Sequence, residues 1–226
     1  MNDKLVTVIL VDGAFYRKRS AKVFGYKSPK DRADELESYC KRHLNEKIFG
    51  QNHSHNLYRI FYYDCEPSKK AVYNPVTKMN DELSKTDNYT WAIEFFNCLK
   101  EKRKFALRMG ELSDQNAGYY LSPVKTKAIL TGKLKIEDVK QSDLSFSMSQ
   151  KGVDMRIGLD IASLSYKKQV NQIVLISGDS DFVPAAKLAR REGIDFVLDP
   201  LGVKVKENLL EHIDGLNTKD EAYKNV

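Results

Sequence analysis

The sequence predicts an α/β fold built on a mostly parallel central sheet with helices on both faces. Three observations carry this. Runs such as LVTVILV (5–11) and IVLI (173–176) are apolar at nearly every position, as strands covered on both faces are. Segments with apolar residues at helical spacing alternate with these runs along the chain. The runs also end in turn residues, repeatedly an aspartate.

The first strand is Leu5 to Val11, stopped by Asp12-Gly13. From Pro29 to Phe49 the residues Ala33, Leu36, Tyr39, Cys40, His43, Leu44 and Ile48 follow a helical period. Asn56 to Tyr63 (NLYRIFYY) is rich in β-formers and again ends in an aspartate, Asp64. The polar stretch 66–88, with two prolines, reads as a loop. Tyr89 to Lys102 is a helix with Trp91, Phe95 and Leu99 on one side, and Phe105 to Leu112 a strand. Residues 113–150 read as an insertion decorating the core, with a short helix near Lys125 to Thr131 and a Ser/Asp-rich stretch, QSDLSFSMSQ. A helix (152–168), a strand (172–177), a helix (182–192), a strand (194–198) and a last helix (Lys204 to His212) complete the order.

The 226 residues suffice for one domain carrying such an insertion. No stretch approaches the ~20 apolar residues of a membrane span, and the N-terminus lacks a signal layout, so a soluble cytoplasmic protein without a membrane partner is expected. Cys40, Cys65 and Cys98 are widely spaced and odd in number, which argues against a disulfide framework and a zinc site. His53 and His55, in GQNHSHN, read as a solvated loop rather than a ligand pair. A net charge of +6 favours an anionic partner, nucleic acid first.

Against that basic total, acids collect at strand exits. In open parallel sheets the ligand site lies beyond the carboxyl ends of the strands, which makes each such acid a candidate. Asp12 ends the first strand, and Asp179 and Asp181 follow the strand at 172–177. Asp154 lies in the first turn of the helix that buries Ile157, Ile161 and Leu164, and is expected to open that core-facing stripe. Asp160, ~120° further round, is a weaker member. Clustered carboxylates raise one another's pKa, and a hard divalent cation (Mg²⁺ or Mn²⁺) relieves the repulsion. Plainer readings exist for each: Asp181 as a helix N-cap, Asp154 as a first-turn acid favoured by the helix dipole, Asp12 as a turn residue. Asp179 has the weakest such alternative.

Two blocks, VILVDGAFYR and KGVDMRIGLDIASLSYKKQVNQIVLISGDSDFVPAAKLARREGIDFVLDP, resemble the NYN domain of the PIN-like nuclease superfamily, LabA-like bacterial proteins in particular. The resemblance implies a PIN-like, Rossmann-like three-layer sandwich spanning 1–226 as one domain. It also implies a Mg²⁺- or Mn²⁺-dependent endoribonuclease. Carried over by position, the acidic catalytic and metal-binding residues are Asp12, Asp154, Asp179 and Asp181, with Ser177 opening the S-G-D motif and Asp160 as possible support. Many members carry an asparagine three residues after the first aspartate, where this chain has Phe15. RNA, single-stranded or with unpaired regions, is the expected partner, and a homo-oligomer is compatible with the reading. Arg17, Lys18 and Arg19 are candidates for backbone phosphates, and Tyr16 and Tyr63 for stacking on bases, with a solvated helix surface and core packing as the alternatives.

A catalytically silent RNA-binding or scaffold module on the same fold is the main alternative. A haloacid-dehalogenase-type phosphatase needs a second aspartate two residues after the first, where Ala14 stands. A dinucleotide-binding dehydrogenase needs G-x-G-x-x-G after the first strand, and none follows it.

Overall fold

The structure, a computed structural model, describes residues 5–48 and 50–225. In chain order the elements begin with β1 (Val6–Asp12), α1 (Gly13–Phe24), α2 (Pro29–Arg42), β2 (Asn45–Ile48), β3 (Gln51–Ser54) and β4 (Asn56–Cys65). β5 (Ala71–Asn74), β6 (Met79–Glu82), α3 (Asp87–Glu101), β7 (Phe105–Leu121), α4 (Pro123–Leu130) and β8 (Leu144–Lys151) follow. The last are α5 (Val153–Tyr166), β9 (Gln172–Ile176), α6 (Val183–Arg191), β10 (Asp195–Asp199), α7 (Glu207–Leu210), β11 (Gly215–Leu216) and α8 (Glu221–Lys224).

The chain forms two compact units: one holds residues up to Cys65, Glu94–Gly110 and Gly152 onward, the other Glu66–Ile93 and Glu111–Lys151. In the first, six strands lie in the order β11-β10-β9-β1-β4-β7, each pair parallel. β1 sits between β4 and β9, and Val8, Ile9, Leu10 and Val11 are fully buried, which is why both faces of this strand are apolar.

Two adjacent residues of β4 define the layers, because successive side chains on a strand point to opposite faces. Tyr62 meets the rings of Phe95 and Phe96 on α3 at 5.7 and 6.2 Å. Tyr63 points the other way and donates its hydroxyl to Asp160 of α5 at 2.8 Å. Helix α5 buries Val153, Ile157, Ile161 and Leu164, so its core stripe opens at Val153 and not at Asp154. On the Tyr62 side, Tyr39 of α2 packs edge-on against Tyr223 of α8, and Ser20 of α1 shares a 2.6 Å hydrogen bond with the Tyr223 hydroxyl. Asp199, at the end of β10, is buried and accepts from Tyr39 Oη, from His43 Nε2 (2.9 Å), from Thr218 Oγ1 (2.9 Å) and from the Leu201 N–H (2.9 Å).

Several sequence expectations change. The helix expected to reach Phe49 ends at Arg42, and Asn45–Ile48 instead pairs antiparallel with β3; Phe49 itself lies outside the described residues. His43 and Leu44 continued the apolar rhythm because His43 is buried on Asp199, not because the helix continues. His55, in the one-residue link between β3 and β4, is likewise not solvated: it is buried, with Nδ1 2.7 Å from Thr7 Oγ1. The helix expected over Lys204 to His212 spans only Glu207–Leu210, and a further short helix, α8, follows it.

In the second unit, the stretch 66–88 expected to be a loop holds the β5–β6 hairpin. QSDLSFSMSQ supplies most of β8, which pairs antiparallel with β7 over Glu111–Leu121. Here Tyr119 stacks edge-on with Phe146 at 5.4 Å and donates its hydroxyl to Asp81 at 2.6 Å. Among the described residues no helix is long and apolar enough to cross a membrane.

Candidate functional site

The sheet order reverses direction at β1. The chain leaves it toward β4 and β7 on one side, and its later strands, β9 and β10, lie on the other. A crevice beyond the carboxyl ends of β1 and β9 is therefore the expected ligand position of this topology. Asp12 is the last residue of β1, and Ser177-Gly178-Asp179 leaves β9 beside it.

Local hydrogen bonds fix most of this group. Asp12 caps α1, its Oδ1 accepting the Phe15 N–H at 3.1 Å, while Ser177 donates its hydroxyl to Asp12 Oδ2 at 3.3 Å. Ser177 is fully buried and its Oγ also accepts the Asp179 N–H at 3.2 Å, so one hydroxyl links both strand exits. Asp179 in turn caps the single 3-10 turn Ser180–Phe182 by accepting the Asp181 N–H at 3.0 Å. Helix α6 begins after Phe182 with no side-chain cap. The capping task assigned to Asp181 on sequence grounds thus belongs to Asp179, because the chain makes its own short turn before α6 starts. Gly178 is required for close approach: a Cβ there would lie 2.7 Å from the Phe15 ring. The residue standing where many family members have asparagine is packed on the S-G-D glycine.

Electrostatics tie the four acids together. Burial, then the Asp154 and Asp64 carboxylates, push the Asp12 carboxyl up to about 6, against the lowering effect of the Phe15 N–H and the Ser177 hydroxyl. Asp154 is exposed, contrary to its expected core-facing position, because the stripe of α5 runs one residue earlier. Its pKa is nonetheless raised, first by partial burial and then by Asp179 and Asp181, both exposed. Asp154 is therefore the member that senses both the β1 exit and the β9 exit. Among the described residues, no three His, Cys, Asp or Glu side chains converge closely enough to hold a metal ion as they stand.

The remaining sequence candidates separate from this group. Asp160 accepts from Tyr63 Oη and, at 3.1 Å, from Arg108 Nε, so its charge is already compensated. Tyr16 is fully buried and donates to Glu35 at 3.0 Å, and Tyr63 is fully buried on Asp160; neither ring can stack on a base. Arg17 pairs with Asp64 at 2.9 Å. Arg19 donates Nε and Nη2 to the Leu201 carbonyl at 3.2 and 2.9 Å, which makes it a bracket for the chain after β10. Of the three expected phosphate contacts, Lys18 alone is exposed.

Two residues outside the sequence candidates, Asp64 and Lys206, also bear on this group. Asp64 is the penultimate residue of β4, close to the position Asp12 holds at the end of β1, and that position was its signal; it is buried, held by Arg17, Tyr62 Oη (3.1 Å) and the Cys65 N–H (2.8 Å). Lys206 reaches Ser180, between Asp179 and Asp181, at 3.1 Å. No sequence spacing announces that contact, because it spans two loops.

Comparison with known proteins bears on the same region. The NYN domain family profile matches residues 87–204, just over half of the chain. The match contains Asp154, Asp179 and Asp181, and Asp12 precedes it. No curated protein matches the chain. Among solved structures, a protein of unknown function from Vibrio parahaemolyticus aligns over 98% of this chain and 97% of its own, with 11% identity and a TM-score of 0.48. With the profile match covering the S-G-D segment and the helix that precedes it, the chain belongs to the NYN domain family, a member of the PIN-like superfamily.

Proposed function

We propose that this protein is a divalent-metal-dependent endoribonuclease that hydrolyses phosphodiester bonds of single-stranded or unpaired RNA. One observation carries the reading: at the sheet's switch point burial and neighbouring carboxylates raise the proton affinity of Asp12 and Asp154, with Asp154 acting on Asp12 and Asp179 and Asp181 acting on Asp154, and no ion pair among the described residues relieves the group. Asp64 and Asp160, by contrast, each face an arginine.

The donor chemistry fits Mg²⁺ or Mn²⁺: oxygen ligands only, and a charge excess that a divalent cation offsets. Asp12, Asp154, Asp179 and Asp181 would hold it. When bound, the cation supplies an activated water and neutralises charge developing on the phosphate. The chain's own residues set the geometry. Ser177 holds the Asp12 carboxylate and the Asp179 backbone in one register, so the two strand exits move as a unit. Asp179 is pinned by its cap, whereas Asp154 and Asp181 are exposed and free to turn toward a cation.

The test is cleavage of labelled single-stranded and structured RNAs with magnesium, manganese or chelator, wild type beside Asp179→Asn. Metal-dependent cleavage by the wild type and none by the variant is expected. Metal-independent cleavage, or full activity in Asp179→Asn, overturns the reading. A second reading, a silent RNA-binding module, draws on Phe15, whose ring covers Gly178 where family members carry an amide. RNA binding with no turnover under any metal would favour it.

A further inference from the structure

We infer that Lys206 is a residue that receives a backbone phosphate beside the acidic group, the task the sequence pattern gives to Arg17, Lys18 and Arg19. The inference rests on the RNA reading above and names a contact within it. Arg17 is committed to Asp64, and Arg19 to the Leu201 carbonyl. Lys206 is exposed, and its ammonium donates to the neutral hydroxyl of Ser180 at 3.1 Å. Among the described residues it makes no ion pair, although Asp179 and Asp181 flank that serine in the chain. An ammonium parked on a hydroxyl at the rim of a carboxylate group keeps its charge available to an incoming anion. Cation and carboxylates side by side suit a phosphodiester: the lysine takes one non-bridging oxygen, and the acids take whatever cation accompanies it.

The fold goes to some length to put Lys206 there. After β10 the chain turns sharply at Leu201 and Gly202, with φ of +47° and +75°. A left-handed leucine is costly, and it persists here because Leu201 is fully buried and its carbonyl is gripped by Arg19. Gly202 cannot be replaced, since a Cβ would lie 1.9 Å from the Tyr223 carbonyl oxygen. Val205 is buried between exposed Lys204 and Lys206, which anchors the segment and sets its outward residues. A strained turn braced from α1 and α8 therefore delivers a lysine to the β9 exit.

The experiment measures binding of a fluorescein-labelled oligouridylate by anisotropy in chelator, across a salt series, and its cleavage with manganese. Wild type is compared with Lys206→Ala, Lys206→Arg and Lys100→Ala, the last removing the same charge from exposed helix surface. Lys206→Ala is expected to weaken binding about fivefold at roughly 0.1 M salt and to flatten the log–log salt slope by about 0.7, one single-strand phosphate contact. Cleavage should show the loss in KM more than in kcat, and Lys206→Arg should restore most of it. Lys100→Ala should change neither slope nor KM. If wild type binds and Lys206→Ala matches Lys100→Ala, the Lys206 assignment fails while the RNA reading stands. If wild type binds no RNA, both fail. If it binds with the expected slope change but never cleaves, only the nuclease reading falls.

Discussion

Replacing Asp12 with asparagine separates the electrostatic cost of the acidic group from its architecture. Asparagine caps a helix as well as aspartate does, so the bond from the Phe15 N–H survives, and its amide can donate to Ser177 Oγ. What disappears is the charge. The carboxyl rises from 3.8 to about 6 in the folded chain, which corresponds to about 3 kcal/mol between its two protonation states. Because the folded value is the higher one, the fold carries no penalty at pH below the unfolded pKa, and loses stability as pH rises through 3.8 to about 6. Asp12→Asn has no such loss. Its advantage over wild type should be about 1 kcal/mol at pH ~4.5 and about 3 kcal/mol at pH ~7.5. Urea midpoints with matched slopes at the two pH values read this directly. Added manganese should narrow the gap at the higher pH by stabilising wild type and not the variant. A variant less stable than wild type at neutral pH, or an advantage that does not change with pH, would refute the claim that Asp12 is an uncompensated carboxylate.

Three further outcomes follow from named contacts. Asp179→Asn should keep the 3-10 cap and the urea midpoint while losing metal-dependent cleavage, whereas Asp179→Ala should lose about 1 kcal/mol as well. Circular dichroism melts beside cleavage assays distinguish them. Arg17→Ala removes the arginine from buried Asp64, which still accepts from Tyr62 Oη and the Cys65 N–H, and should cost about 3 kcal/mol in urea unfolding. A stable Arg17→Ala that merely weakens RNA binding would return Arg17 to the substrate face. Gly202→Ala forces a Cβ onto the Tyr223 carbonyl at a positive φ and should lower stability by at least about 2 kcal/mol in the same assay.

The strands β1, β4, β9 and β10 and the helix α5 were legible because burial wrote itself into composition. β1 is apolar on both faces, and Ile157, Ile161 and Leu164 recur at helical spacing on a face that is in fact buried. Helix α1 escaped the same reading for the converse reason. Its buried residues are Gly13, Tyr16 and Ser20, a small and polar face fitted against Tyr62, Glu35 and Tyr223, so no hydrophobic stripe marks it. β8 is mostly exposed, and its serines carry no burial signal either.

At the site, sequence could mark acids at strand exits but could not say which of them the fold neutralises. That depends on partners distant in the chain: Arg17 for Asp64, Arg108 for Asp160, Tyr39 and His43 for Asp199. The resulting division separates structure from chemistry. A carboxylate given an arginine or a set of hydrogen-bond donors is stabilised as an anion inside the protein and has little left to offer a cation. Asp12 and Asp179 receive backbone N–H caps, and Asp12 a serine hydroxyl as well, which orient them without cancelling their charge, while Asp154 and Asp181 stay exposed. Orienting anions while leaving them to repel one another costs stability in the isolated chain, and that cost is recovered only when positive charge arrives from outside. The same economy explains Lys206, which rests on Ser180 rather than on either neighbouring aspartate. Had it paired with them, it would have quenched both the proposed cation site and the proposed phosphate contact.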